Sequence, residues 1–165
     1  MKFIGLISDT HNFIHPKTYN FFKEVDEIWH AGDIGSMEVI DALLKFKPLR
    51  AVFGNIDSHD IRSEFPEDNV FMCEEAKIFM THIGGYPNRY QAHAKSIIIQ
   101  QKPDLFISGH SHILKVMHDP KYNLLHINPG AAGKSGFHKV ITLVRFRVEG
   151  KTFKDLEILE IPRNP

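Results

Sequence analysis

Asp9-Thr10-His11, Gly32-Asp33, Gly54-Asn55, Thr81-His82 and Gly109-His110-Ser111-His112 are five short polar clusters, each just beyond an apolar run of strand length. Together they offer two carboxylates (Asp9, Asp33), one amide (Asn55) and four imidazoles (His11, His82, His110, His112). Oxygen and nitrogen donors without a thiolate suit zinc, iron, manganese and related first-row divalent ions. His110-x-His112 has the period of an extended segment, which turns both imidazoles to the same side. Singly, each cluster has a bland reading: Asp9-Thr10-His11 as a cap beside a surface histidine, Gly54-Asn55 as a turn. Together the five clusters point to one site, with glycines where the backbone must turn sharply after a buried strand. Seven donors exceed the needs of one ion. If Asp33 is shared they divide into two sets of four, the composition of a two-metal site.

The elements that must position these donors alternate at first. Phe3 to Ser8, Glu27 to His30 and Leu49 to Phe53 read as buried strands. A helix with Pro16 in its first turn and Tyr19, Phe21 and Phe22 on its apolar side lies between the first two. Between the next two, Ser36 caps a helix carrying Val39, Ile40, Leu43 and Leu44. That alternation predicts parallel strands joined by right-handed crossovers. Val70 to Cys73 and Lys77 to Thr81 then flank a Glu74-Glu75-Ala76 turn, Gln91 to Gln101 reads as a helix, and Asp104 to Ser108 as another buried strand. Strands follow at Lys115 to His118, Leu124 to Ile127, Lys139 to Arg147 and Thr152 to Ile161, with Gly150 turning the last pair. Val140, Thr142, Val144, Phe146 and Val148 are expected on one face. Ligands in open α/β sheets bind at the carboxyl ends of the strands, so five such ends can converge on one site.

Composition sets the bounds. A chain of 165 residues, 42% hydrophobic and 24% charged, without repeat or linker, reads as one globular domain over residues 1–165. Lys+Arg 20 against Asp+Glu 20 removes the basic field that duplex nucleic acid or an acidic membrane would attract. The single cysteine, Cys73, excludes an internal disulfide and reads as a small core residue. The apolar start is too short for a signal peptide and no stretch has transmembrane length, so the expectation is a soluble cytoplasmic protein. The acidic segment from Asp57 to Glu75 reads as a solvated loop or edge. Association of copies through an edge strand is compatible with the pattern.

In this order the motifs resemble the calcineurin-like metallophosphoesterases, specifically their small single-domain bacterial and archaeal phosphodiesterase branch. The match runs D-x-H (Asp9, His11), G-D (Asp33), G-N-x-D (Gly54 to Asp57), T-H (His82), G-H-S-H (Gly109 to His112) and Asn128-Pro129-Gly130. The resemblance implies a four-layer αββα sandwich of two mixed β-sheets flanked by helices. It also implies two divalent metal ions, from manganese, nickel, zinc or iron with manganese favoured. One would take Asp9, His11, Asp33 and His112, the other Asp33, Asn55, His82 and His110, with Asp33 bridging. The implied reaction is hydrolysis of a phosphodiester or aryl phosphate by a hydroxide carried between the ions, with Asn55 also donating its NH₂ to a phosphate oxygen.

The broader family form is G-N-H-[DE], whose histidine protonates the leaving oxygen; here that position is Ile56, which cannot. This departure implies preference for diesters or aryl phosphates over alkyl monoesters. Asp57 is expected either to orient a ligand histidine or to cap a helix, and His30 to stand behind the ligands or to be a satisfied core histidine. The Asn128 to Gly136 loop offers backbone N–H groups to phosphate or is a tight connection, and His59 lies close enough to Ile56 to re-examine. A retromer subunit shares this fold as a non-catalytic interaction scaffold. Against that alternative stands the retention of all seven donors, which are costly to bury unpaired.

Overall fold

The computed structural model describes residues 1–163. In chain order its elements are β1 (Lys2–Ile7), α1 (Lys17–Phe21), β2 (Glu27–His30), α2 (Met37–Phe46), β3 (Leu49–Ala51) and α3 (His59–Glu64). They continue with β4 (Asp68–Cys73), β5 (Ala76–Thr81), β6 (Gly85–Tyr86), β7 (Arg89–Tyr90), α4 (Ala92–Gln101) and β8 (Leu105–Ile107). Four strands close the chain: β9 (Leu114–Asp119), β10 (Leu124–Pro129), β11 (Val140–Glu149) and β12 (Thr152–Pro162).

One five-stranded sheet runs β12-β11-β1-β2-β3 and the other β4-β5-β8-β10-β9. In the first sheet the parallel strands β1-β2-β3 run out to one edge, with antiparallel β11 and β12 on the other side of β1; in the second, parallel β5-β8-β10 is flanked by antiparallel β4 and β9. Three apolar cores define the layers. Phe3, Ile7 and Ile28 pack under Phe22, Val39, Leu43 and Ile61 from the helical side. Ile4, Leu6 and Trp29 face Ile78, Met80, Ile107 and Ile127 between the sheets. Phe79, Phe106 and Leu124 pack against Ala94 and Ile98 of α4. This is the expected αββα order, and it explains why the central strands read as unbroken apolar runs: both of their faces are covered.

Several local expectations change. In β11, Val144, Phe146 and Val148 enter the inter-sheet core while Ile141 and Leu143 enter the helical one, so both faces are apolar and Val140 is exposed. Ser36 precedes α2 without a side-chain cap, because its hydroxyl donates to Asn12 Oδ1. Helix α3 lies where a solvated loop or edge was expected, and the β6-β7 hairpin had no expectation. Cys73 is buried, and burial pushes its thiol up to about 11.

Two histidines are buried in these layers. Burial lowers His30 and His126 to about 4 each, so both are neutral imidazoles in the fold. Their unfolded forms titrate near 6.5, so the stability each contributes is complete above that value and is lost as pH falls toward 4. Between pH 7.5 and 5 this costs roughly 2 kcal/mol per residue. The unfolding free energy of His126→Phe, compared with the parent at both pH values in denaturant titrations, should therefore show a pH difference smaller by about that amount.

Candidate metal centre

The carboxyl ends of β1, β2, β3, β5 and β8 meet along one rim of the sandwich, and each delivers its polar cluster there. The chain pays for this geometry in backbone conformation. Asp9, His11, Asp33, His110 and His112 all have positive φ, from 44° to 71°. Asp and His tolerate that region better than most residues, but each costs of order 1 kcal/mol or more. Strain at five of the seven expected donors requires a surrounding structure that enforces it.

The two carboxylates are built alike. Asp9 Oδ2 accepts from the Ser8 hydroxyl (2.7 Å) and the His110 N–H (3.1 Å), leaving Oδ1 without a partner. Asp33 Oδ1 accepts from the Ile56 N–H at 3.1 Å, leaving Oδ2 turned to His82 Nε2 (3.2 Å) and His11 Nε2 (3.3 Å). Asp9 Oδ1 lies 3.2 Å from His112 Nε2 and 3.7 Å from that of His11. Two donors bound to one ion at about 2.1 Å each sit about 3.0–3.5 Å apart, and three of these pairs have that spacing. His82 Nδ1 donates to the Ala31 carbonyl at 2.8 Å, which fixes the tautomer and leaves Nε2 with a lone pair. Asp9 Oδ1, His11 Nε2 and His82 Nε2 are buried without a hydrogen-bond partner among the described residues.

Asp9, His11 and His112 form one group able to hold a cation, and Asp33, His82 and His110 a second. Asn55 Oδ1 joins the second at 3.1 Å from His110 Nδ1. Asp33 Oδ2 contacts a histidine of each group. Burial works against charge on Asp9, yet the hydrogen-bonding imidazoles of His11 and His112, with His82 and Ser8, outweigh it and hold the carboxyl far below its usual range. Burial likewise opposes charge on His82, and the Asp33 and Asp9 carboxylates raise it nonetheless. A bound cation would compete with protons for these rings. All seven sequence-predicted donors are thus brought together, and the donor set fits divalent metal.

The supports were less visible. Asp57 neither orients a ligand histidine nor caps α3. Its Oδ2 accepts from the Gly54 and Ile34 N–H groups (2.7 and 3.2 Å) and its Oδ1 from Gly35 (2.9 Å), tying the Asn55 loop to the Asp33 loop. Asp57→Asn replaces acceptor lone pairs with N–H donors facing those amides, so it should cost about 1–3 kcal/mol of stability in denaturant unfolding and lower activity as the two loops part. A Cβ on Gly54 would stand 2.0 Å from Asp33 Oδ1, which is why the turn carries glycine. His30 ties to Thr10 Oγ1 (2.9 Å) and accepts from the Gly32 N–H (3.1 Å), so it is both a satisfied core histidine and a brace beside Asp33.

In the Asn128 to Gly136 loop the Ala132 and Gly133 N–H groups bond the Ser8 and Asp9 carbonyls, a tight connection rather than a phosphate cradle. Asn128 donates to the Gly109 carbonyl and Ser111 Oγ, holding the histidine pair's loop. His59 only approaches Ser63 on the exposed side of α3. Sequence reasoning missed Arg62, whose guanidinium stacks on Phe53 and donates to the Asp57 and Asn55 carbonyls. It also missed His138, packed edge-on against His112. Arg62 lines a cleft of about 410 Å³ with Asn55, His82 and His93, and His93 Nε2 lies 2.6 Å from Asp68 Oδ2.

The calcineurin-like phosphoesterase superfamily domain, as a family model, matches residues 1–151. A "Probable metallophosphoesterase" of Methanothermobacter thermautotrophicus is 30% identical, over 78% of this chain and 76% of its own. Among solved structures, a novel archaeal phosphodiesterase is similar at TM-score 0.74 and 24% identity, covering 95% of this chain and 99% of that one. Wild-type Vps29 of Entamoeba histolytica, complexed with Zn²⁺, is similar at TM-score 0.73 and 18% identity, covering 98% and 99%. At these identities the two structures speak to the fold.

Proposed function

This chain belongs to the calcineurin-like phosphoesterase superfamily, and from that premise we propose that it is a binuclear-metal phosphodiesterase acting on small phosphodiesters or aryl phosphates. The observation that carries the reading is the convergence of Asp9 Oδ1, His11 Nε2 and His82 Nε2, buried and turned toward one another without hydrogen-bond partners. In it, Asp9, His11, Asp33 and His112 would hold one divalent ion, and Asp33, Asn55, His82 and His110 the other. Manganese is favoured among manganese, nickel, zinc and iron. Bound ions of this kind supply Lewis-acid charge to phosphoryl oxygens and activate water at neutral pH.

The chain's own residues prepare that chemistry. Asp9 and Asp33 each commit one oxygen to backbone or hydroxyl donors, which fixes the direction of the other. The Ala31 carbonyl holds His82 in the tautomer that ligates through Nε2. With its oxygen turned to His110, Asn55 keeps an NH₂ to donate to a phosphoryl oxygen, and Arg62 steadies its loop by gripping the Asn55 carbonyl. Ile56 spends its N–H on Asp33 and offers hydrocarbon to the leaving group, which favours substrates whose departing oxygen needs no proton. The reading includes a cytoplasmic location, as the lone cysteine suggests, and leaves room for association of copies; no described helix is long and apolar enough to cross a membrane.

The similarity to Vps29 favours a second reading, a non-catalytic scaffold of the retromer-subunit kind. The unpartnered donors weigh against it, because a scaffold gains nothing from burying them. Purified protein incubated with Mn²⁺, Ni²⁺ or Zn²⁺ should hydrolyse bis(p-nitrophenyl) phosphate, and chelated protein should not. Failure with every metal would favour the scaffold. Ile56→His should raise alkyl monoester turnover relative to diester turnover, roughly 10²-fold at most, and an unchanged ratio would remove the leaving-group argument.

A further inference from the structure

A second hollow, of about 220 Å³, adjoins the metal centre at His110. Among the residues lining it is His126 of β10, 0% exposed and stacked on Phe106. Its Nδ1–H donates to the Phe106 carbonyl at 3.1 Å, so Nε2 carries the lone pair, and that atom has no partner among the described residues. Burial keeps the ring neutral at physiological pH, as does Lys115 nearby, while the Phe106 carbonyl and Asp119 pull the other way. His126 Nε2 is therefore a buried hydrogen-bond acceptor without a donor, on a side chain that lines the hollow. Such a group calls for a donor.

The walls say what kind of donor. Ile83 (39% exposed), Tyr86 (39%) and Ile113 (63%) present apolar and aromatic surface, and Lys115 Nζ sits 4.2 Å from the centroid of the Tyr86 ring, steadying it. Apolar and aromatic surface beside an unpartnered acceptor, with Gln91, Ser111 and Asn128 completing the lining, matches a flat ring that carries an N–H or O–H. Adjacency to His110 means that a group in this hollow can be attached to a phosphoryl centre held at the metals.

We propose that this hollow holds the retained ester arm of the substrate, a planar aromatic group with an N–H or O–H donor, such as a nucleobase, stacked on Tyr86 and donating to His126 Nε2. The proposal rests on the phosphodiesterase reading, since a monoester has no second arm. It makes the favoured substrate an unsymmetrical diester.

Two esters with the same leaving group separate the arms: the p-nitrophenyl ester of adenosine 5′-monophosphate and phenyl p-nitrophenyl phosphate. Mn²⁺-loaded wild type should favour the adenosine ester in kcat/KM. His126→Phe, which preserves an aromatic ring against Phe106, should lower kcat/KM for the adenosine ester about ten-fold and leave the phenyl ester within about two-fold. Tyr86→Ala, at an exposed position, should weaken both. Independently of turnover, the His126 Nε2 nitrogen resonance of metal-free protein should move on addition of adenosine 5′-monophosphate and vanish from the response in His126→Phe. An unchanged ester preference in His126→Phe, or an unmoved Nε2 resonance in the wild type, overturns the arm assignment alone. Hydrolysis of neither ester by the wild type with any metal overturns the phosphodiesterase reading, and with it the retained arm.

Discussion

Asp33→Asn is expected to lower metal-dependent phosphodiester hydrolysis by roughly 10³-fold or more, the equivalent of several kcal/mol of transition-state stabilisation. The reason is that both of its oxygens are committed: Oδ1 to the Ile56 N–H, and Oδ2 to the space it shares with His11 and His82. An amide supplies one acceptor instead of two and no charge. Whichever way it turns, either Ile56 loses its acceptor or an NH₂ faces the imidazoles. Asparagine tolerates the left-handed backbone that Asp33 adopts at φ 56°, so the metal-free variant should fold and melt close to the parent. Loss of hydrolysis with retained folding would locate the defect in the chemistry. Activity within ten-fold of wild type would mean that Asp33 is not shared between two ions.

Adding Mn²⁺ to the metal-free protein is expected to raise its melting temperature by roughly 10–20 °C when free metal reaches about a hundred times each dissociation constant. Each site then adds about 2.7 kcal/mol, and a protein of this size gains roughly 2–4 °C per kcal/mol. The sign follows from the site's electrostatics. Without a cation, strained Asp9 and Asp33 raise the proton affinity of the imidazoles beside them; metal competes with protons there and brings a charge the carboxylates bind better. The shift should therefore shrink at lower pH, where protons compete for the same atoms. Calorimetry with and without chelator measures it, and Asp33→Asn should lose most of it. A shift of only a degree or two at saturating metal would contradict the proposed pair of sites.

The donor clusters were legible in sequence because each interrupts an apolar run whose burial on both faces leaves no polar residue without a reason. Ile4 and Leu6 face one core and Phe3 and Ile7 another, so the polarity change at Ser8-Asp9 stands out. Helix α3 was not legible, because its six residues bury only Ile61 and its acids read as a solvated loop. The β6-β7 hairpin is two residues a side, too short for a periodic signal. The role of Asp57 depends on amides more than twenty residues away, and that of Arg62 on carbonyls exposed by a turn. His126 looked like one more histidine in a strand. Only the fold shows that one nitrogen is spent on Phe106 and the other is left over.

The most direct measurement is the anomalous scattering of crystals grown with Mn²⁺, collected at the manganese edge. The account predicts two peaks about 3.5–4 Å apart on either side of Asp33 Oδ2, one among Asp9, His11 and His112, the other among Asn55, His82 and His110. A single peak, or none at saturating metal, would contradict it.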